Sequence, residues 1–107
     1  MTDARIVLTT TDSREEAEKI ANALVHRQLA ACVNIVGPIT SIYSWKGKVE
    51  NAQEFLLLIK TTEDAFEPLR DAVRELHSYE LPEFIELGIS RGEGKYLAWI
   101  TQSVHYE

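Results

Sequence analysis

One cysteine, three prolines and five glycines are all that 107 residues contain of these types. A single thiol, Cys32, excludes an intrachain disulfide and any metal site built from the cysteines of one chain. The scattered prolines and glycines leave no linker, and there is no low-complexity tract or repeat at solenoid spacing. One continuous domain is therefore expected over residues 1–107. Positive charge is also scarce, with 11 Lys and Arg against 17 Asp and Glu, a net charge of −6. Nucleic-acid binding needs a cationic face to displace counterions, and adhesion to anionic lipid needs basic clusters, so the balance argues against both partners. The longest apolar runs, Leu29 to Val33 and Phe55 to Ile59, fall well short of the ~20 residues that a bilayer-spanning helix needs. The opening Met1-Thr2-Asp3-Ala4-Arg5 lacks the charged-then-apolar order of a secretory signal, and a cytoplasmic location is expected.

What the chain does have is 45% hydrophobic residues, enough for a packed core. Residues 4–10 alternate as a strand, with Ile6 and Leu8 on one face and Val7 on the other. Ser13 and Glu16 form a capping box, and Ala17, Ile20, Ala21, Leu24 and Val25 mark an amphipathic helix over 14–28. Residues 31–45 change to a strand-like period, interrupted at Gly37-Pro38, where a bulge or edge position is expected. Lys46-Gly47 supplies a turn, and the chain returns over 49–61 through the non-alternating run Phe55–Ile59, a sign that both faces are covered. Phe66, Leu69, Val73 and Leu76 predict a second helix over 64–77. A strand over 84–90, with Ile85, Leu87 and Ile89 on one face, and a last helix over 95–105 with Tyr96, Leu97, Ile100 and Val104 complete the order. This is an α+β, ferredoxin-like βαββαβ sandwich with a long central β-hairpin and an extra C-terminal helix. Two short helices cannot cover so long a hairpin, whose tip would expose Tyr43 and Trp45, so self-association into a closed homo-oligomer is expected.

Several segments, taken in order, resemble the divalent-cation tolerance protein family, CutA. They are Leu29-Ala30-Ala31-Cys32-Val33-Asn34, Ser41-Ile42-Tyr43-Ser44-Trp45-Lys46-Gly47, Lys60-Thr61-Thr62, His77-Ser78-Tyr79-Glu80-Leu81-Pro82-Glu83 and Tyr96-Leu97-Ala98-Trp99. The resemblance implies a homotrimer, similar in architecture to the PII-type regulators, and a link to tolerance of divalent metals, copper above all. It does not supply a settled molecular activity; binding rather than turnover is the expectation. The chain departs from some relatives in having Thr9 where they carry a cysteine, Leu76-His77 where they carry paired histidines, and His77-Ser78-Tyr79 in place of His-Pro-Tyr.

Two sets of candidate residues follow. Imidazole and carboxylate oxygen suit copper or zinc, which makes His77, Glu80 and Glu83 candidate ligands for a weakly held copper(II) or other divalent cation, not required for folding. Cys32 could join them from an adjacent chain, although a lone cysteine in an apolar strand ordinarily packs as a small hydrophobe. Tyr43, Trp45, Lys60, Tyr79 and Trp99 are candidates to line an intersubunit cleft or to anchor the interface itself. The alternative function is a PII-like regulatory or scaffold trimer, holding a small anionic ligand or a protein partner in such clefts. Thr9, Thr10, Thr11 and Ser13 could bind an anion at the start of the first helix, but capping is the simpler reading. His26 and His105 read as surface residues. No catalytic constellation stands out. Arg14 follows the first strand as the arginine of acylphosphatases does, but without a glycine-rich loop, so no enzyme is expected.

Overall fold

A computed structural model describes residues 2–105. Its elements are β1 (Ala4–Thr11), α1 (Arg14–His26), β2 (Cys32–Trp45), β3 (Lys48–Thr62), α2 (Phe66–Leu76), β4 (Ile85–Gly88) and α3 (Gly94–Ser103), with a 3-10 turn over Glu63–Ala65 leading into α2. The strands form one antiparallel sheet in the order β2-β3-β1-β4, the split βαβ arrangement. Among the described residues no helix is long and apolar enough to cross a membrane.

Local chemistry sets the helix ends. The Ser13 hydroxyl accepts from the Glu16 amide at 3.1 Å, and Glu15 and Glu16 place negative charge at the positive end of α1. The expected helix to residue 28 ends earlier, at His26. Gln28 adopts a left-handed φ of 59°, its amide bonds Val25 O at 3.0 Å, and the Leu29 amide bonds Leu24 O at 2.9 Å. This is a Schellman closure, and it follows from Leu29 returning to the core while Gln28 stays exposed. Pro68 lies in the first turn of α2, where its missing amide costs no hydrogen bond. The fourth strand is shorter than expected, stopping at Gly88. The last helix runs from Gly94 to Ser103, leaving Val104 and His105 outside it; the His105 amide bonds Gln28 O at 2.9 Å.

Strand register decides what each sheet face carries. Val7 pairs with Ile59 and Thr9 with Leu57, and Val33 and Ile35 flank the same two β3 residues. This face packs under Ala17, Ile20 and Leu24 of α1 and Leu69 and Val73 of α2 to make the core. The opposite face carries Ile85, Leu8 and Leu58 in one row and Leu87, Ile6 and Lys60 in the next. Leu8, Leu56 and Leu58 are only half-buried, and Ile85, Leu87 and Val36 are exposed. The non-alternating run in β3 thus serves two apolar faces: α1 and α2 pack on one, and the other keeps half-buried and exposed apolar side chains. Ile100 and Val104 are buried outside that core cluster, whereas Tyr96 of the expected α3 stripe is exposed.

The register of the central hairpin shifts between Val36 and Ile39, the bulge expected at Gly37-Pro38, where the peptide bond is cis. A Cβ on Gly37 would stand 2.6 Å from Phe55 Cδ2 and 3.0 Å from the Glu54 carbonyl oxygen, so backbone approaches backbone there. Phe55 can rotate away, but the Glu54 carbonyl cannot without moving β3. We expect Gly37→Ala to cost roughly 1–3 kcal/mol in urea denaturation, whereas Gly88→Ala, which meets nothing within 4 Å, should leave the midpoint nearly unchanged.

Candidate functional site

The loop after α2 crosses the end of β1 and meets the base of the hairpin. It is tied there from both sides. The His77 ring is buried and its Nε2 lies 2.6 Å from Thr10 O, while the Tyr79 amide donates to His77 Nδ1 at 3.0 Å. An amide on Nδ1 requires a lone pair at that nitrogen, so the proton sits on Nε2 and the Thr10 carbonyl accepts it. Glu16 Oε2, 3.5 Å from Nδ1, also accepts the Ser78 hydroxyl at 3.1 Å. His77 also caps α2, its amide bonding Val73 O at 2.9 Å. Tyr79 then reaches across the sheet, and its Oη donates to Glu54 Oε2 at 2.7 Å.

Between loop and hairpin lies a cleft of about 570 Å³, within the usual range for small-molecule sites. Tyr43 and Trp45 of β2 and Tyr79 form its aromatic walls, and Glu54, Glu80 and Glu83 line it with carboxylates. Thr10, Ser41, Ile42 and Leu81 fill the remaining wall. Glu54 is 8% exposed. Burial, and next the Glu54 charge, push the Glu83 carboxyl above its ordinary value. Burial, followed by the hydrogen bond and charge of Glu54, pushes the Tyr79 phenol up as well, so it stays a neutral donor. Among the described residues none of the three carboxylates has an ion-pair partner, and no Lys or Arg lines the cleft.

The expected site residues therefore separate. Tyr43, Trp45, Tyr79, Glu80 and Glu83 come together in the cleft, and His77 stands behind its wall with both ring nitrogens engaged. Cys32 does not join them within one chain. It pairs with Lys60, which pairs with Ile6, whereas His77 is bound at Thr10. That separation is roughly 13 Å along the strands and about 10 Å across them. Among the described residues no group of three or more His, Cys, Asp or Glu side chains is arranged to hold a metal ion. Lys60 bonds Asn34 Oδ1, and Trp99 pairs with Tyr96 at 5.5 Å on α3; neither lines the cleft. The Ser13 region is occupied by capping, and Arg14 bonds Gly37 O at 3.1 Å with its guanidinium over the Phe55 ring. His26 and His105 are exposed. The carboxylate lining opposes the small anion expected as an alternative ligand. From the sequence, Glu54, like Glu50 and Lys60 on the same hairpin, reads as either a site residue or a solvated or salt-bridged strand residue, and spacing does not choose between them.

Comparison with known proteins followed the same chain segments. Residues 5–103 match the family described as CutA1 divalent ion tolerance protein. The Divalent-cation tolerance protein CutA of Thermus thermophilus is 50% identical over 92% of this chain and 95% of its own length. Protein CutA, chloroplastic, of Arabidopsis thaliana is 47% identical over 92% of this chain, which spans 54% of that longer protein. Among solved structures, the Thermus thermophilus divalent cation tolerance protein superposes with a TM-score of 0.93 at 48% identity, covering 95% of this chain and 99% of its own. A periplasmic divalent cation tolerance protein CutA from Archaeoglobus fulgidus gives 0.91 at 42% identity, covering 95% and 99%. These names place relatives in a chloroplast and a periplasm, so the compartment does not follow from the resemblance.

Glu83 holds its proton more tightly folded than unfolded. Its contribution to stability is thus complete below pH 4.5, the ordinary value, and falls as pH rises through the raised folded value. We expect Glu83→Gln to melt with the parent at about pH 4 and above it at about pH 7, read from thermal denaturation across a pH series. A pH-independent difference would show that Glu83 is not held up by burial and Glu54.

Proposed function

The chain belongs to the CutA1 divalent ion tolerance family, and on that premise we propose that it is a cation-binding, self-associating protein that acts without turnover. The observation that carries this reading is the cleft. Three carboxylates line it, one of them nine-tenths buried, and no basic side chain among the described residues neutralises them. Like charges gathered around the buried Glu54 favour any cation that can enter, because the Glu54 charge is screened less there than in water. A divalent ion, copper(II) above all, would take Glu54, Glu80 or Glu83 oxygens. With no three-ligand group among the described residues, its coordination would be completed by water or by an adjacent copy, and affinity would be weak. His77 would contribute Nδ1 only by releasing the Tyr79 amide, so it acts first as the post that holds the cleft wall.

Assembly is the second half of the proposal. The half-buried leucines of the sheet face opposite α1 and α2, continued by exposed Val36, Ile85 and Leu87, form an apolar surface of the kind that association covers. Family membership supports three copies, and a PII-like regulatory role for such a trimer is compatible with ligand binding in the cleft. Cys32, Lys60 and Trp99 lie away from the cleft and would meet neighbours rather than ligand. No catalytic set is needed for any of this, and none of the steps calls for one.

Two measurements check the proposal. Native mass spectrometry should show a trimer that Leu58→Glu converts to monomer, since the substitution puts a charge in the middle of the buried face. Copper(II) titration of the metal-stripped trimer should load up to three ions, with affinity roughly tenfold lower in Glu54→Gln, a loss of ~1.4 kcal/mol. Loading unaffected by any cleft carboxylate would remove the cleft from the account.

A further inference from the structure

We infer that the cleft is built for an organic ammonium ion, a short aliphatic diammonium or polyammonium, rather than for a bare metal alone. The inference rests on the cation-binding reading above and names the cation. Three features point the same way. The first is size: about 570 Å³ is far more than one ion occupies and suits an extended molecule. The second is the spread of the carboxylates. Glu54, Glu80 and Glu83 line one space, yet among the described residues no three acidic, histidine or cysteine side chains converge as a metal's ligands do. Charges that are gathered but do not converge match a ligand whose own positive charges are separated by methylenes.

The third feature is the aromatic lining. Tyr43, Trp45 and Tyr79 flank the carboxylates, and ring faces attract ammonium groups while their carbon surface accepts a ligand's methylene chain. Trp45 already behaves this way, with Lys46 Nζ 5.7 Å from its ring centroid at the hairpin turn. The deepest charge is Glu54. One of its oxygens takes the Tyr79 hydroxyl at 2.7 Å, which fixes the carboxylate and leaves its other oxygen to accept from an ammonium N–H. A small anion would meet three negative groups, and a neutral diol would leave the buried charge unpaired. Binding adds no bond-making step: the ammonium enters with its charge and leaves with it.

The test is isothermal titration calorimetry of the full chain in its assembled state with 1,4-diaminobutane, against 1,4-butanediol and succinate as four-carbon controls of equal length. Saturable binding of the diamine alone is expected, weakening as salt rises. Glu54→Gln, which keeps the shape and can still accept from Tyr79, should weaken it at least tenfold, and Trp45→Leu about threefold. In a Trp99→Phe background the fluorescence of Trp45 should shift with the same midpoint as the heat. Absence of diamine binding at millimolar concentration, equal binding of the diol, or binding indifferent to both Glu54→Gln and Trp45→Leu would each overturn the inference. Copper(II) or magnesium binding that depends on Glu54, with no diamine binding, would overturn it while leaving the cation-binding reading in place. Loss of both would remove that reading too.

Discussion

The hydrogen bond from Tyr79 to Glu54 joins two parts of the chain that are far apart in sequence: the loop after α2 and the base of the hairpin. At 2.7 Å it holds a charged acceptor with a neutral donor, and burial keeps the donor neutral. Removing the phenol would leave a nine-tenths-buried carboxylate without its partner, which costs more than the bond itself contributes. His77 supports the same connection from behind. Its ring spans the Thr10 carbonyl and the Tyr79 amide, so α2, the end of β1 and the cleft wall share one anchor. These bonds pin the loop beside the hairpin with the cleft between them, while Gly37 lets the two hairpin strands approach closely.

The second constraint is the sheet's pair of apolar faces. Leu57 and Ile59 point under the helices, and Leu56 and Leu58 point the other way. The cluster beneath α1 and α2 takes one face, and on the other Leu56 and Leu58 stay half-buried while Ile85 and Leu87 are exposed. The sheet face opposite α1 and α2 is continuous with the cleft. Thr10, a cleft residue, pairs with Leu56, and Glu54 follows two residues earlier on β3 with its side chain on the same side. A copy packed on that face would border the cleft, so assembly and ligand binding would be two uses of one surface.

Much of this was legible in the residues. Capping by Ser13, the turn at Lys46-Gly47, the bulge at Gly37-Pro38 and the alternation of β1 are local effects, and local chemistry announces them. The early end of α1 was not legible, because nothing marks Gln28 as a left-handed residue until Leu29 is known to turn back into the core. The site was half legible. Residue types nominated His77, Tyr79, Glu80 and Glu83 as neighbours on one loop. They could not show that His77 is consumed by two backbone groups, that Cys32 lies far along the sheet, or that Glu54 from a distant strand completes the cleft. Each of those facts depends on strand register, which links residues 10, 54 and 79 across the sheet rather than along the chain.

The account turns on Glu54 remaining a buried charge without a basic partner once copies assemble. A crystal structure of the assembled protein, at a resolution that shows side chains and bound cations in the cleft, tests this most directly. It should show Tyr79 still bonded to Glu54, the cleft open beside the covered sheet face, and a cation from the medium or solvent against the free Glu54 oxygen. A lysine or arginine of a neighbouring copy seated on Glu54, filling the cleft, would contradict the account and make these carboxylates part of the interface instead.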